Sequence, residues 1–261
     1  MKTILLAISL LTRIPLPKLS FKKSNIIWAY PIVGLILGLL YTAFVILMII
    51  SPVYIPVKTA TVFIIMVMAL LTGAMHFDGI ADTFDGIWGG NDKARRLEIM
   101  KDSHIGAYGT ITLIFVFLTY YTLLSSYPDT VAIMISLIIS SVASRSVMGI
   151  VQLTTPQAKE NGLLNYIGVD VDTNKTILTI LFITLFNMVV AYFMFGTMAM
   201  LNILGILIVM PILFSAFFKS KIGGVTGDCL GAVQVISEII ILILLYALVS
   251  SGNVIGYFYG W

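Results

Sequence analysis

Between His76 and His104 the chain gathers six of its 12 carboxylates, both of its histidines and four of its 15 lysines and arginines. The rest is oily, since 59% of all residues are apolar and only 10% are charged. Ionised groups are costly near lipid, so this concentration points to chemistry. Asp78, Asp82 and Asp85 have the spacing i, i+4, i+7, which places them in one stripe of a helix. Three anions in a stripe repel one another, and a bound divalent cation relieves that repulsion. Ligands made only of oxygen favour Mg²⁺ or Mn²⁺ over zinc. Gly86, Gly89 and Gly90 are expected to break the helix and let a ligand approach the backbone. The plainer reading is a solvated helix end whose acids pair with Arg95, Arg96 and Lys101; the apolar setting weighs against it.

A second stripe follows on a helix expected over residues 92–101, where Arg95, Glu98 and Asp102 recur at i, i+3, i+7. For Arg95 and Glu98 an internal ion pair is as good an explanation as a site. Lys101, Asp102, Ser103 and His104 bring a cation, a carboxylate, a hydroxyl and an imidazole together before an apolar run, a mixture suited to a metal-bound phosphate. His76 reads either as a satisfied interface histidine or as a general base. Further on, the 223–228 turn (GGVTGD) carries Thr226, Gly227 and Asp228 where a last helix opens. Free N–H groups there favour an anion, with Lys219 and Lys221 beside it. Gly227, Gly231, Gln234 and Glu238 then line one stripe, with Glu238 about 15 Å up the helix from Asp228. At that depth a carboxylate needs a partner, and Arg145 is the cation available for a buried pair or for a substrate.

The elements that must position these residues are membrane helices. Mean hydropathy is +1.06, and apolar runs of about 20 residues mark spans. Seven are expected, near residues 26–50, 59–75, 107–125, 130–151, 176–195, 198–218 and 229–250. The fold class is therefore all-α, a polytopic helix bundle forming one domain over residues 1–261. Within it, residues 1–25 read as an amphipathic surface segment rather than a cleaved signal, because Arg13-Ile14-Pro15 replaces a small-residue cleavage site. Residues 76–106 form the acidic catalytic segment. Lysines and arginines concentrate in the loops that face the cytoplasm when the N-terminus lies inside, with Lys58 as the external exception. That orientation puts the acidic segment, the 152–175 loop and the 223–228 turn on one cytoplasmic face. The bilayer explains the net charge of +3 without a nucleic-acid partner. Cys229 is the only cysteine, which excludes disulfides and cysteine-based clusters. Gly34 and Gly38 suit close helix packing, within the chain or in a homo-oligomer.

Residues 76–86 (HFDGIADTFDG), 97–109 (LEIMKDSHIGAYG) and 223–231 (GGVTGDCLG) together resemble the cobalamin synthase family, adenosylcobinamide-GDP ribazoletransferase. Residues 10–17 (LLTRIPLP), Arg145 and residues 158–163 (AKENGL) extend the resemblance over nearly the whole chain, although His104 stands where the family has Arg and Ile80 where Leu is usual. The resemblance implies a Mg²⁺-dependent enzyme of a prokaryotic cell (inner) membrane. Its substrates would be adenosylcobinamide-GDP and α-ribazole or α-ribazole 5′-phosphate, its products adenosylcobalamin or its 5′-phosphate and GMP. On that reading Asp78, Asp82, Asp85 and Asp102, with Asp228, hold the metal, Asp82 and Asp85 being catalytic. Lys101, Ser103, Arg145, Thr226 and Gly227 bind substrate, and His76 is the candidate base. Residues 82–86 (DTFDG) also match the opening of the CDP-alcohol phosphotransferase motif, but the match stops at Ile87. An ion-coupled secondary transporter would place its acids near the midplane and show two related halves, and neither is visible here.

Overall fold

The computed structural model describes residues 2–17, 25–158 and 172–251. Lys18, Lys22 and Lys23, the Lys159 to Leu163 stretch and the 252–261 tail lie outside them. Helix α1 (Lys2–Leu11) buries Leu6, Ala7, Ile8 and Leu11. A 3₁₀ turn (Ile27–Ala29) leads into α2 (Tyr30–Ile50), followed by α3 (Val57–Thr72), α4 (Met75–Gly89), α5 (Lys93–Ile99) and α6 (Ala107–Ser125). Helices α7 (Thr130–Thr154), α8 (Thr173–Phe195), α9 (Thr197–Ile222) and α10 (Gly227–Ser250) complete the described bundle. Among the described residues six helices are long and apolar enough to cross a membrane, matching six of the seven expected spans. The protein is a multi-pass membrane protein.

The remaining expected span, 59–75, is broken. α3 stops at Thr72 and α4 leaves it at 87°. Gly73 (φ 63°) and Ala74 (φ 56°) both adopt left-handed backbone, and the Gly73 N–H closes the end of α3 on the Ala69 and Leu70 carbonyls. A side chain at such a φ costs about 1–2 kcal/mol, so surrounding contacts must hold Ala74 there. One of them is visible: the Arg13 N–H donates to the Leu71 carbonyl at 2.7 Å, and the Arg13 side chain lies against Gly73.

Helix α7 is the pivot of the bundle, buried along most of its length from Ser136 to Gln152. Gly34 and Gly38 of α2 pack directly on its backbone, so these glycines serve contacts within the chain. A Cβ on Gly34 would overlap the Ser141 carbonyl, and one on Gly38 would stand 2.7 Å from the Ile138 Cα. The α7 and α10 faces that meet are polar at their centre. Arg145, 1% exposed on its side chain, has Nη1 3.6 Å from Oε1 of Glu238, which is 4% exposed. The Tyr120 hydroxyl donates to Glu238 Oε2 at 2.8 Å and the Ser141 hydroxyl to Oε1 at 3.1 Å. Arg145 also donates to the Ser141 carbonyl at 3.1 Å. The buried pair expected from sequence therefore exists, and it joins α6, α7 and α10 in one register.

A buried ion pair is weak evidence of net stability, yet breaking one side of it is costly. Glu238→Gln, leaving Arg145 buried without its counter-charge, should lower stability in detergent by about 3–5 kcal/mol. The double variant Arg145→Met with Glu238→Gln should recover much of that loss, as read by thermal unfolding.

Candidate active site

Helix α4 carries the acid stripe as the spacing requires, but the three residues differ in depth. Asp78 is exposed, Asp82 half-buried and Asp85 buried. Asp85 is covered because the start of α6 lies on it, while Trp88 and Gly89 farther along the helix are exposed. The Phe77 ring packs on Phe117 at 4.9 Å and edge-on to Tyr120 at 6.2 Å, which docks α4 on α6. On the next face α4 crosses α10 with almost nothing between the backbones. A Cβ on Gly79 would stand 2.8 Å from the Asp228 carbonyl oxygen, and one on Gly231 would stand 3.2 Å from the His76 Cα. The backbone of Asp228, distant in sequence, is thereby set against Gly79.

Asp228 arrives there because the turn before α10 is tightly held. The Val225 N–H donates to the Pro156 carbonyl at 2.9 Å, and the Ala158 N–H returns to the Val225 carbonyl at 3.0 Å. Thr226 is the N-cap of α10. Its hydroxyl accepts the Cys229 N–H at 3.2 Å and donates to Asp228 Oδ2, also at 3.2 Å. Gly227 begins the helix with open space where a side chain would be. The expected helix opening is thus present, with exposed backbone at its first residue and the Lys93 ammonium lying against Gly223.

Helix α5 is shorter than expected, capped by Asp92, whose carboxylate accepts the Arg95 N–H at 2.9 Å. Arg95 and Glu98 form an ion pair at 2.8 Å with side chains 58% and 68% exposed, the plain reading of that stripe and worth little in water. Arg96 does more, donating from Nε to the Gly90 carbonyl and from Nη1 to the Lys221 carbonyl, both at 2.9 Å. It ties α5 to the end of α9. Gly86 and Gly90 make room for that docking, since a Cβ on either would stand 2.8 Å or less from Arg96 backbone. Helix α4 accordingly continues past Gly86 to Gly89, and Gly86 and Gly90 admit a helix of the same chain where a ligand was expected.

Lys101, Asp102, Ser103 and His104 all lie exposed between α5 and α6. The His104 N–H donates to Asp102 Oδ1 at 3.0 Å and His104 Nδ1 lies 2.7 Å from the same oxygen. These bonds, the backbone one first, hold the Asp102 carboxyl below the ordinary carboxylate range. Asp85 faces this segment's far end, accepting the Gly106 N–H at 2.7 Å and the Gly109 N–H at 2.9 Å. Two expected site residues sit deeper. His76 is 3% exposed with Nε2 lacking a hydrogen-bond partner, and Arg145 is enclosed beside Glu238.

Among the described residues no three carboxylate, imidazole or thiol side chains are gathered closely enough to hold a metal as they stand. The donor set nonetheless suits a hard divalent cation: Asp78, Asp82 and Asp228 present oxygen alone from two backbones in contact. The roles of Gly106, Gly109, Tyr120 and Ser141 were not read from sequence. A Gly-x-x-Gly at the start of a helix was the available signal for the first two.

Over residues 3–246 the chain matches the family described as CobS, cobalamin-5-phosphate synthase. It is 33% identical to the adenosylcobinamide-GDP ribazoletransferase of Mesorhizobium japonicum over 92% of this chain and 91% of that one. The protein of the same name from Fusobacterium nucleatum is 31% identical over 94% of this chain and 96% of its own. That from Escherichia coli O139:H28 is 32% identical over 91% of this chain and 96% of its own. No solved structure matches. With the motifs in order along a match of this extent, the chain belongs to the cobalamin-5-phosphate synthase family.

Proposed function

We propose that this protein is the adenosylcobinamide-GDP ribazoletransferase of cobalamin biosynthesis, a Mg²⁺-dependent enzyme at the cytoplasmic face of a prokaryotic inner membrane. The observation that carries this reading is the family match over residues 3–246, and the close crossing of α4 and α10, the helices that carry Asp78, Asp82 and Asp228, supports it. The substrates are adenosylcobinamide-GDP and α-ribazole or its 5′-phosphate, and GMP is the leaving group. A hydroxyl of the ribazole ribose attacks the phosphate attached to cobinamide, and the bond to the GMP oxygen breaks.

Asp78, Asp82 and Asp228 would hold the Mg²⁺, and Asp102, exposed in the loop before α6, remains a further candidate ligand. Bound there, Mg²⁺ neutralises the bridging and leaving oxygens of the diphosphate. The chain's own cations bind and orient the rest. Lys101 is exposed in the loop before α6, and Lys93 lies at the turn where the first residue of α10 presents open backbone to an anion. Arg145, buried and paired with Glu238, acts as a fold residue rather than a phosphate clamp. A base must reach the attacking hydroxyl, and His76 at 3% exposure does not. That proton passes to solvent, which reaches the stripe at its exposed acid, Asp78. Lys93, Arg95, Lys101 and Lys219 are exposed around this end of the bundle, which supports its cytoplasmic orientation.

Purified protein in detergent should release GMP only when given both substrates and Mg²⁺, and EDTA should stop it. Asp82→Asn should lower the rate by about 100-fold or more, the scale of losing one electrostatic stabiliser of a transition state. Release indifferent to Mg²⁺ or to Asp82, or none from folded protein supplied with both substrates, would refute this reading and direct the search to CDP-alcohol substrates.

A further inference from the structure

Asp85 differs from the other acids of α4 in what its oxygens already do. It is 7% exposed, Oδ2 accepts the Gly106 N–H and Oδ1 the Gly109 N–H. Those amides belong to the N-cap and the third residue of α6. The first amides of a helix have no partner within it, and the N-cap side chain ordinarily supplies one. Gly106 has no side chain, so the cap comes from a different helix. The two glycines are fitted to it, because a Cβ on Gly106 or Gly109 would overlap the Asp85 carboxylate. Both oxygens turn toward the positive end of α6, which offsets the charge that would otherwise attract a cation.

The consequence reaches the segment before α6. Residues 101–105 are exposed from Lys101 to Ile105, and their far end is fixed where Gly106 meets Asp85. Asp85 sits about one helical turn beyond Asp82 on α4. The clamp thereby fixes where the exposed segment of Lys101, Asp102, Ser103 and His104 ends.

We infer that Asp85 is a positioning residue, clamping the N-terminus of α6 and the 101–105 loop, and that it is not a ligand of the metal. The inference rests on the proposed reading in which Asp78, Asp82 and Asp228 hold a divalent cation. Two measurements separate the roles: Mn²⁺ binding to the purified protein by electron paramagnetic resonance, and amide exchange across residues 100–109. Asp85→Asn should leave Mn²⁺ affinity within about 3-fold of the parent while raising exchange across the loop by about 10-fold or more. Asp82→Asn should do the reverse. Gly109→Ala keeps every carboxylate and displaces the clamp, so it should match Asp85→Asn in exchange, including where Asp85→Asn fails to fold. Both clamp variants should lose about 10- to 100-fold in kcat with the Mg²⁺ concentration for half-maximal rate unchanged. Asp85→Asn weakening Mn²⁺ as Asp82→Asn does, or Gly109→Ala leaving exchange unchanged, would overturn the inference. A parent protein that binds no Mn²⁺ refutes the metal reading itself, and the exchange result alone then decides the clamp.

Discussion

The contact on which the rest depends is the crossing of α4 over α10 at Gly79 and Gly231. Two helices approach this closely only where side chains are absent, and here the residues flanking Gly79 are Asp78 and, one turn on, Asp82. The helix brought against them opens with Asp228. Residues more than 140 positions apart in the chain thus meet backbone to backbone.

Everything around the crossing keeps it from relaxing. The left-handed pair Gly73 and Ala74 turns α4 away from α3, and Arg13 braces that turn. Arg96 joins the loop after α4 to the end of α9, while Pro156 and Val225 pin the turn before α10. Asp85 holds α6 at its N-terminus, and Tyr120 returns from α6 to Glu238 in the core. The Arg145–Glu238 pair is the deepest of these ties. Its energetic return is small against its desolvation cost, but it allows α7 and α10 only one register. That register is what places Asp228, nearly three turns before Glu238, beside Gly79.

Spans, helix periodicity and the identity of the acidic stripe were legible in the sequence because hydropathy and the 3.6-residue repeat act locally. The pairing of Arg145 with Glu238 was legible too, since a carboxylate at that depth requires a cation and the chain offers few. Depth along α4 was not legible. Spacing puts Asp78, Asp82 and Asp85 on one stripe, but only the docking of the start of α6 on Asp85 decides that the last is buried while the first is exposed. The break at Gly73 was hidden because the flanking residues stay apolar, and the left-handed Ala74 leaves no mark in composition. Gly86 and Gly90 looked like room for a ligand, whereas Arg96 fills that space. Such substitutions of a protein partner for a ligand depend on long-range packing, which no local pattern encodes.

Gly79→Ala tests the central claim most directly, because it removes no charged group and strikes only the crossing, where the added Cβ would stand 2.8 Å from the Asp228 carbonyl oxygen. If the acids of α4 and α10 form one metal site, the folded variant should bind Mn²⁺ about 10-fold or more weakly than the parent and lose GMP release with it. A folded Gly79→Ala protein that binds Mn²⁺ and releases GMP like the parent would show that the crossing does not build the site.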